Sequence, residues 1–497
     1  MSEQKNSYRQ IMKATSLFGG VQIFQIVISV IRSKFVAVLL GPAGMGVVGL
    51  LTSTTGLVMG LTNFGLGTSA VKNISEANAE EDRNRLATVI AVLKRLVWIT
   101  GILGALVTLL FSPWLSQFTF GNKEFTLAFV WISITLLLNQ LTTGEMVLLQ
   151  GLRKLQQLAK ANLYGSVAGL IITVPLYYWL GEKGIVPVII ITAFSTLFFT
   201  WFFSRNIGVE KKVVSRATII AEGKSMMVMG IMISMSSLVA LLVAYFIRIF
   251  INRIGDLADV GYYSAGFTII NTYVGMVFTA MGTDYYPRLS LVATDNEKCK
   301  EQVNQQSEIA LLILGPILVG FLLFLNWAII ILYSNQFLTI TGMVYWATLG
   351  IFFKALSWAI AFIFLAKGAA KLFFWNELAT SIYGLGLNML GYYMAGLTGL
   401  GMAFLASYLL YFIQVYLIAK IKYRFSFHRS LIVIFFVQFL LALTCFIIVS
   451  LIRQPYIYLP GLLLISISAW YSYKELEKRI GLREIIKNSI QQMKKKI

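Results

Sequence analysis

Apolar residues in this chain neither alternate nor recur on one helical face. They run in blocks of about 20 or more, separated by short polar, basic or glycine-rich stretches. A block of that length leaves no polar face for water, and at about 1.5 Å rise per residue some 20 residues cross the hydrocarbon core of a bilayer. Fourteen spans are predicted, at 12–40, 45–70, 86–112, 125–150, 161–180, 185–204, 225–251, 260–286, 307–333, 341–366, 372–394, 398–419, 430–451 and 456–473. The pattern predicts an all-α polytopic membrane protein of about 14 transmembrane helices. The polar start, MSEQKNSYRQIMKA, leads into an apolar run without a small-residue cleavage site, so the first helix is expected to be retained.

Composition agrees, with 58% hydrophobic and 12% charged residues, against about 25% charged in soluble domains. The net charge of +20 would point to nucleic acid in a soluble protein. Here its placement decides otherwise. With the amino end inside, 33 of the 41 Lys and Arg fall on cytoplasmic segments, while only Lys123, Lys183, Arg253 and Arg453 fall opposite. That is the positive-inside bias of a membrane protein, and no nucleic-acid partner is expected. The basic tail ending Lys494, Lys495, Lys496 is read as holding orientation and touching anionic lipid headgroups. Cys299 falls in a cytoplasmic loop and Cys445 in the thirteenth span, too far apart for a disulfide. One histidine, His428, rules out a His-rich metal site. No P-loop or dinucleotide fingerprint is present, so neither ATP-driven transport within this chain nor a bound cofactor is expected.

Two halves of the chain overlay at a constant offset of 215, pairing Gly46 with Gly261, Trp131 with Trp346, Gly181 with Gly396, and Gly184 with Gly399. Recurrence without slippage indicates two six-helix lobes, residues 1–204 and 225–420, joined by a cytoplasmic linker at 205–224. Spans thirteen and fourteen (430–473) lie outside the repeat, followed by a basic tail at 474–497. An even number of helices per lobe relates the lobes by an axis along the membrane normal, with a central cavity expected between them.

The remaining four cations, counted on neither side, fall within spans: Arg32 and Lys34 in the first, Arg248 in the seventh and Lys354 in the tenth. A charge at the centre of a membrane helix costs about 2.5–3.5 kcal/mol on insertion scales, so such residues usually face a cavity or partner. The offset sets Arg248 between Arg32 and Lys34, one residue from each, giving both lobes a cation at similar depth on the first helix. These cations suit an anionic ligand such as a pyrophosphate, Arg as a planar fork and Lys as a mobile point charge. The competing reading is snorkelling to the interface, easiest for Arg32 and hardest for Lys354, which is nearest mid-span. Glu145, Asp284, Glu308 and Glu377 lie towards the cytoplasmic ends of their spans. Glu377 either binds a proton or Na⁺ or forms an ion pair with Lys367 or Lys371, the pair being the favoured reading. Asn139, Gln140, Asn271, Tyr273 and Asn388 are in-span polar groups able to meet sugars, though such groups also join helices. Gly56, Gly60, Gly65 and Gly67 are read as close helix packing and hinge capacity.

Several segments carry a family likeness: LLGPAGMG at 39–46, TNFGLGTSAVKNIS at 62–75, DVGYYSA at 259–265, YYPRLS at 285–290 and FLAKGAAKLFFWNELA at 364–379. In this order and spacing the chain resembles the multidrug/oligosaccharidyl-lipid/polysaccharide (MOP) exporter superfamily over residues 10–420. Within it, it is similar to the Wzx-type translocases for O-antigen and enterobacterial common antigen lipid intermediates. The resemblance implies a V-shaped carrier in the bacterial inner membrane, both termini cytoplasmic, serving lipopolysaccharide or other surface polysaccharide biosynthesis. It implies alternating-access movement of an undecaprenyl-pyrophosphate-linked oligosaccharide to the periplasmic leaflet, with membrane lipids, H⁺ or Na⁺ and polysaccharide polymerase machinery as partners. Lys34, Arg248, Lys354 and Glu377 fall where similar translocases carry the same residue types, and Arg32 joins the implied pyrophosphate set as its least clearly matched member. A drug/cation antiporter of the same superfamily would want acids at mid-span, where this chain has bases. A membrane polymerase or ligase, the enzyme alternative, would present a sizeable periplasmic loop, and the predicted loops are short.

Overall fold

The computed structural model describes residues 2–80, 82–205, 212 and 214–480, with side chains described except at 2–23, 273, 280, 283, 284 and 480. The basic tail beyond residue 480 and most of the linker's first half therefore lie outside the described residues. Within them all regular structure is helical: α1 Ser2–Thr62, α2 Leu66–Ala79, α3 Arg83–Leu110, α4 Ser112–Phe120, α5 Thr126–Gly151, α6 Leu155–Leu180, α7 Ile185–Ser204, α8 Arg216–Ile254, α9 Leu257–Thr268, α10 Gly275–Leu291, α11 Asn296–Leu332, α12 Thr341–Ala366, α13 Ala370–Tyr423, α14 Arg429–Leu451 and α15 Tyr458–Ile480. Among the described residues, nine stretches are long and apolar enough to cross a membrane. Three of these, Phe24–Thr62, Leu155–Ser204 and Ala370–Tyr423, each hold two of the predicted spans. The predicted eighth span corresponds to α9 and α10 with a π-helical turn, Ile269–Val274, between them, and the fourteenth to α15. The chain is thus a multi-pass helical membrane protein with about fourteen spans.

The repeat is written into the backbone. Adding 215 to the bounds of α5 gives those of α12, and adding it to the start of α6 gives the start of α13. Gly181 (φ 54°, ψ −133°) separates α6 from a 3₁₀ turn before α7, and its equivalent Gly396 (φ 55°, ψ −140°) breaks α13 in the same conformation. Arg153 and Gly368, also 215 apart, both take positive φ (55° and 68°) between equivalent helices. Such angles cost little at glycine and are uncommon elsewhere.

By packing, the chain divides into two compact units, Met1–Gly261 with Leu332–Gln336, and Tyr262–Ile331 with Phe337–Ile497. The first unit therefore holds α8, the helix that opens the second repeat, packed on α1, α2 and α3. Glycines allow this. The predicted second span does not run through to residue 70; α1 stops at Thr62 and restarts as α2 because Phe64 and Gly65 take positive φ. A Cβ on Gly65 would sit 2.1 Å from the Gly230 carbonyl oxygen, so α8 meets this break backbone to backbone. At the other end, a Cβ on Gly46 would lie 1.8 Å from Leu257 O, and one on Gly261 would lie 1.9 Å from Pro42 O. Gly46 and Gly261, like Pro42 and Leu257, are repeat equivalents, so the contact is reciprocal, as about a local two-fold axis. The short helix α4, not predicted, is also tied to α8. Arg253 Nη2 donates to Gln117 O (2.7 Å) and Phe118 O (3.0 Å), placing a cation at the C-terminal carbonyls of α4.

The second unit is centred on α11 and α12, whose inward residues Leu318, Leu322, Ala355 and Ile360 are fully buried. The two helices outside the repeat pack here. Gln438 of α14 bonds Ser468 and Ser472 of α15, and the Cys445 thiol donates to Val319 O of α11. Arg479 Nε donates to Glu308 Oε2 (2.7 Å), Ser430 Oγ to Glu308 Oε1, and Glu475 takes bonds from Arg479 and Lys478. Glu308, read from sequence as a helix-end acid, is thus the anchor joining α11, α14 and α15. Glu475 is held below the usual carboxylate range by its bonds from Lys478 and Arg479. A depressed folded value means that its stabilisation is present at neutral pH and fades as pH falls through and below about 4.3, the unfolded Glu value. Removing one partner of a largely buried pair costs about 3 kcal/mol, whereas replacing both with apolar groups restores much of the loss. Arg479→Ala is expected to lower the unfolding temperature in detergent, and Arg479→Leu with Glu308→Leu to recover it. A double variant as unstable as Arg479→Ala would contradict this role.

Candidate anion-binding site

Lys354 sits near the middle of α12 and is partly buried. Its ammonium donates to Asn271 Oδ1 (3.2 Å) and lies over three aromatic rings, Tyr408 at 5.2 Å, Phe278 at 5.7 Å and Phe404 at 5.8 Å from their centroids. Asn271 belongs to the π-helical turn, where one extra residue per turn re-aims side chains; such turns are frequent at functional sites. Phe278 comes from α10, and Phe404 and Tyr408 are one turn apart on the second leg of α13. Ring faces stabilise a cation by about 0.5–2 kcal/mol each without neutralising it. No ion pair among the described residues includes Lys354. An ammonium has three donors, one of them committed to Asn271. Lys354 is therefore a charge held in place and equipped to meet an anion.

Glu377 lies in the first leg of α13 and accepts from Tyr411 OH (2.5 Å) and Asn376 Nδ2 (3.4 Å). The ion pair expected with Lys367 or Lys371 does not form. Lys367 instead donates to Ala293 O and faces the Tyr423 ring, and the acid turns towards a phenol 34 residues away. Gln414 Nε2 bonds Asn376 Oδ1 (2.7 Å), fixing the neighbouring amide. Tyr408 and Tyr411 stand edge to face at 6.4 Å, so Lys354 and Glu377 are joined through two tyrosines on one helical leg. Asn388, a sugar candidate, spends its amide donor on Gly384 O and leaves Oδ1 buried without a partner among the described residues, as does Ser407 Oγ on the facing leg. Gln140 joins α5 to Thr100 of α3, the helix-joining role. The side chains of Tyr273 and Asp284 lie outside the described residues.

Arg32, Lys34 and Arg248 are all in the first unit and all partly buried. Arg32 lies on α1, which packs against α6. Arg248 Nη1 donates to Ala244 O one turn back on its own helix (3.0 Å). Lys354 and Glu377 are in the second unit. Sequence reasoning found Lys354 but not its aromatic surroundings, although the Phe404, Tyr408, Tyr411 spacing on one helix face was available as a signal.

The polysaccharide biosynthesis protein family model matches residues 35–342, more than half of the chain. The chain belongs to that family. No sequence match to a curated protein was found. Among solved structures, an inward-facing multidrug resistance MATE transporter of the MOP superfamily is similar at TM-score 0.69 and 14% identity, covering 80% of this chain and 94% of that one. The lipid II flippase MurJ in an inward closed conformation is similar at TM-score 0.62 and 14% identity, covering 94% and 99%. A MOP superfamily transporter from Pyrococcus furiosus, described as having a binding pocket of reverse polarity, gives 0.54 and 15%, covering 83% and 96%. At these identities the likeness is one of fold: this member of the family has the fold of those transporters.

Proposed function

We propose that this family member is a flippase for an undecaprenyl-pyrophosphate-linked oligosaccharide, an O-antigen-type repeat unit, moving it from the cytoplasmic to the periplasmic leaflet of a bacterial inner membrane by alternating access. The observation that carries the reading is Lys354, an intramembrane ammonium held by Asn271 and three rings and bearing two further donors. A pyrophosphate entering a membrane site loses hydration, and a preorganised cation compensates. Lys34, Arg248 and Arg32 are assigned to the same substrate's charge from the first unit. The unpartnered acceptors Asn388 Oδ1 and Ser407 Oγ suit sugar hydroxyls. The family's link to polysaccharide biosynthesis and the fold shared with a lipid II flippase over 94% of this chain support a lipid-linked substrate. A cationic-drug antiporter is disfavoured by the base at mid-span.

Glu377, bonded to Tyr411 and linked through Tyr408 to Lys354, is assigned to proton or Na⁺ coupling. In proteoliposomes, Glu377→Gln is expected to flatten the dependence of translocation on pH or Na⁺; an unchanged dependence would remove Glu377 from coupling. The function itself is tested with fluorescent lipid-linked oligosaccharide in vesicles, scored by protection from an impermeant quencher. Translocation above protein-free vesicles is expected, and export of cationic dyes in its place would overturn the reading.

A further inference from the structure

A cavity of about 420 Å³ opens on the first unit between α3, α5 and α7, well apart in sequence from the cations assigned to substrate. Its walls are aromatic: Trp98, Phe194, Phe198 and Trp201 line it, each roughly half exposed. Two opposite charges, Lys94 and Glu145, line the same cavity, and no ion pair among the described residues joins them. Glu145 is held from behind, accepting from Ser204 Oγ at 2.5 Å. Lys94, Glu145 and Trp201 lie in the halves of α3, α5 and α7 that end at Arg83 and Arg85, Arg153 and Lys154, and Arg205, the basic ends that the positive-inside rule sets at the headgroups. Arg205 itself stacks on Trp201 and Phe202, as interfacial Arg and Trp do.

We infer that this cleft binds a zwitterionic glycerophospholipid with a primary amine, of the phosphatidylethanolamine type. Its phosphate meets Lys94, its ammonium meets Glu145 beside the indole faces of Trp98 and Trp201, and its acyl chains run along Phe194 and Phe198. One acid and one base, separated and unpaired, match a headgroup carrying both charges. A purely anionic headgroup would leave Glu145 opposed to a like charge, and a quaternary amine would give it no hydrogen bond. The positive-inside rule assigns the site to the cytoplasmic leaflet.

Native mass spectrometry of the full chain in detergent, titrated with phosphatidylethanolamine, phosphatidylglycerol, phosphatidylcholine or glycerophosphoethanolamine, tests this. Phosphatidylethanolamine is expected to bind about tenfold more tightly than the others, and Glu145→Gln to erase that preference, weakening phosphatidylethanolamine while phosphatidylglycerol binding holds or tightens as the like charge is removed. Lys94→Gln should weaken both phospholipids. Unfolding temperature measured without added lipid identifies a misfolded Glu145→Gln, in which case Ser204→Ala, which frees the carboxylate to move, is expected to reduce the preference partly. Equal binding of the four ligands, or a preference that survives Glu145→Gln, would overturn the assignment. Glycerophosphoethanolamine binding as tightly as the intact lipid would show a headgroup site without the aromatic wall and would equally overturn it. None of these readouts depends on oligosaccharide translocation.

Discussion

Lys354→Ala is expected to reduce translocation of lipid-linked oligosaccharide about 10- to 100-fold at equal protein level in vesicles. The range follows from losing one charge-assisted contact worth about 1.5–3 kcal/mol. The substitution removes the ammonium but leaves Asn271, Phe278, Phe404 and Tyr408 as its former surroundings. Its effect should therefore fall on substrate rather than on folding, with an unfolding temperature close to wild type. Lys354→Arg keeps the charge but brings a planar fork into a space framed for an ammonium, and should retain a fraction of the activity. Asn271→Ala, which frees the ammonium without removing it, should fall between wild type and Lys354→Ala. Full activity in Lys354→Ala would mean that the ring-bound lysine is structural.

The second large effect is expected at the reciprocal glycine contact. In Gly46→Leu or Gly261→Leu the first side-chain carbon alone would stand under 2 Å from a backbone carbonyl oxygen, and no rotamer relieves it. The helices must separate, at a cost of about 3 kcal/mol or more. Loss of thermal stability in detergent, or of folded protein altogether, is the expected result for each. Gly56→Ala supplies the comparison, since a Cβ there meets nothing within 4 Å. It should be neutral or slightly stabilising because alanine is the better helix former. Equal stability of Gly46→Leu and Gly56→Ala would contradict the contact.

Much of the fold was legible because membrane helices announce themselves locally, as long apolar blocks bounded by charge and glycine. The repeat was legible for a related reason. Glycines such as Gly181 and Gly396 recur where the backbone takes an angle that few other residues accept. What escaped depends on distant contacts or departures from α geometry. The π-helical turn that brings Asn271 to Lys354 has no sequence marker in the apolar pattern. The Glu377 partner was sought within ten residues among lysines, but chain reversal at Gly396 brings Tyr411 to it instead. Helix α4 is short, and the cation at its carbonyls, Arg253, comes from a helix more than 100 residues later. The mid-span depth of Lys354 could be read from sequence, and so could the shared face of Phe404 and Tyr408; that this face, with Phe278 of α10, meets the lysine could not.

Recognition of the lipid-linked charge by Lys354 is tested most directly by equilibrium binding of undecaprenyl pyrophosphate and of uncharged undecaprenol to the purified protein. Wild type is expected to bind the pyrophosphate about tenfold or more tightly than the alcohol, and Lys354→Gln to lose most of that difference. Equal affinity of wild type for both lipids, or a preference undiminished in Lys354→Gln, would contradict it.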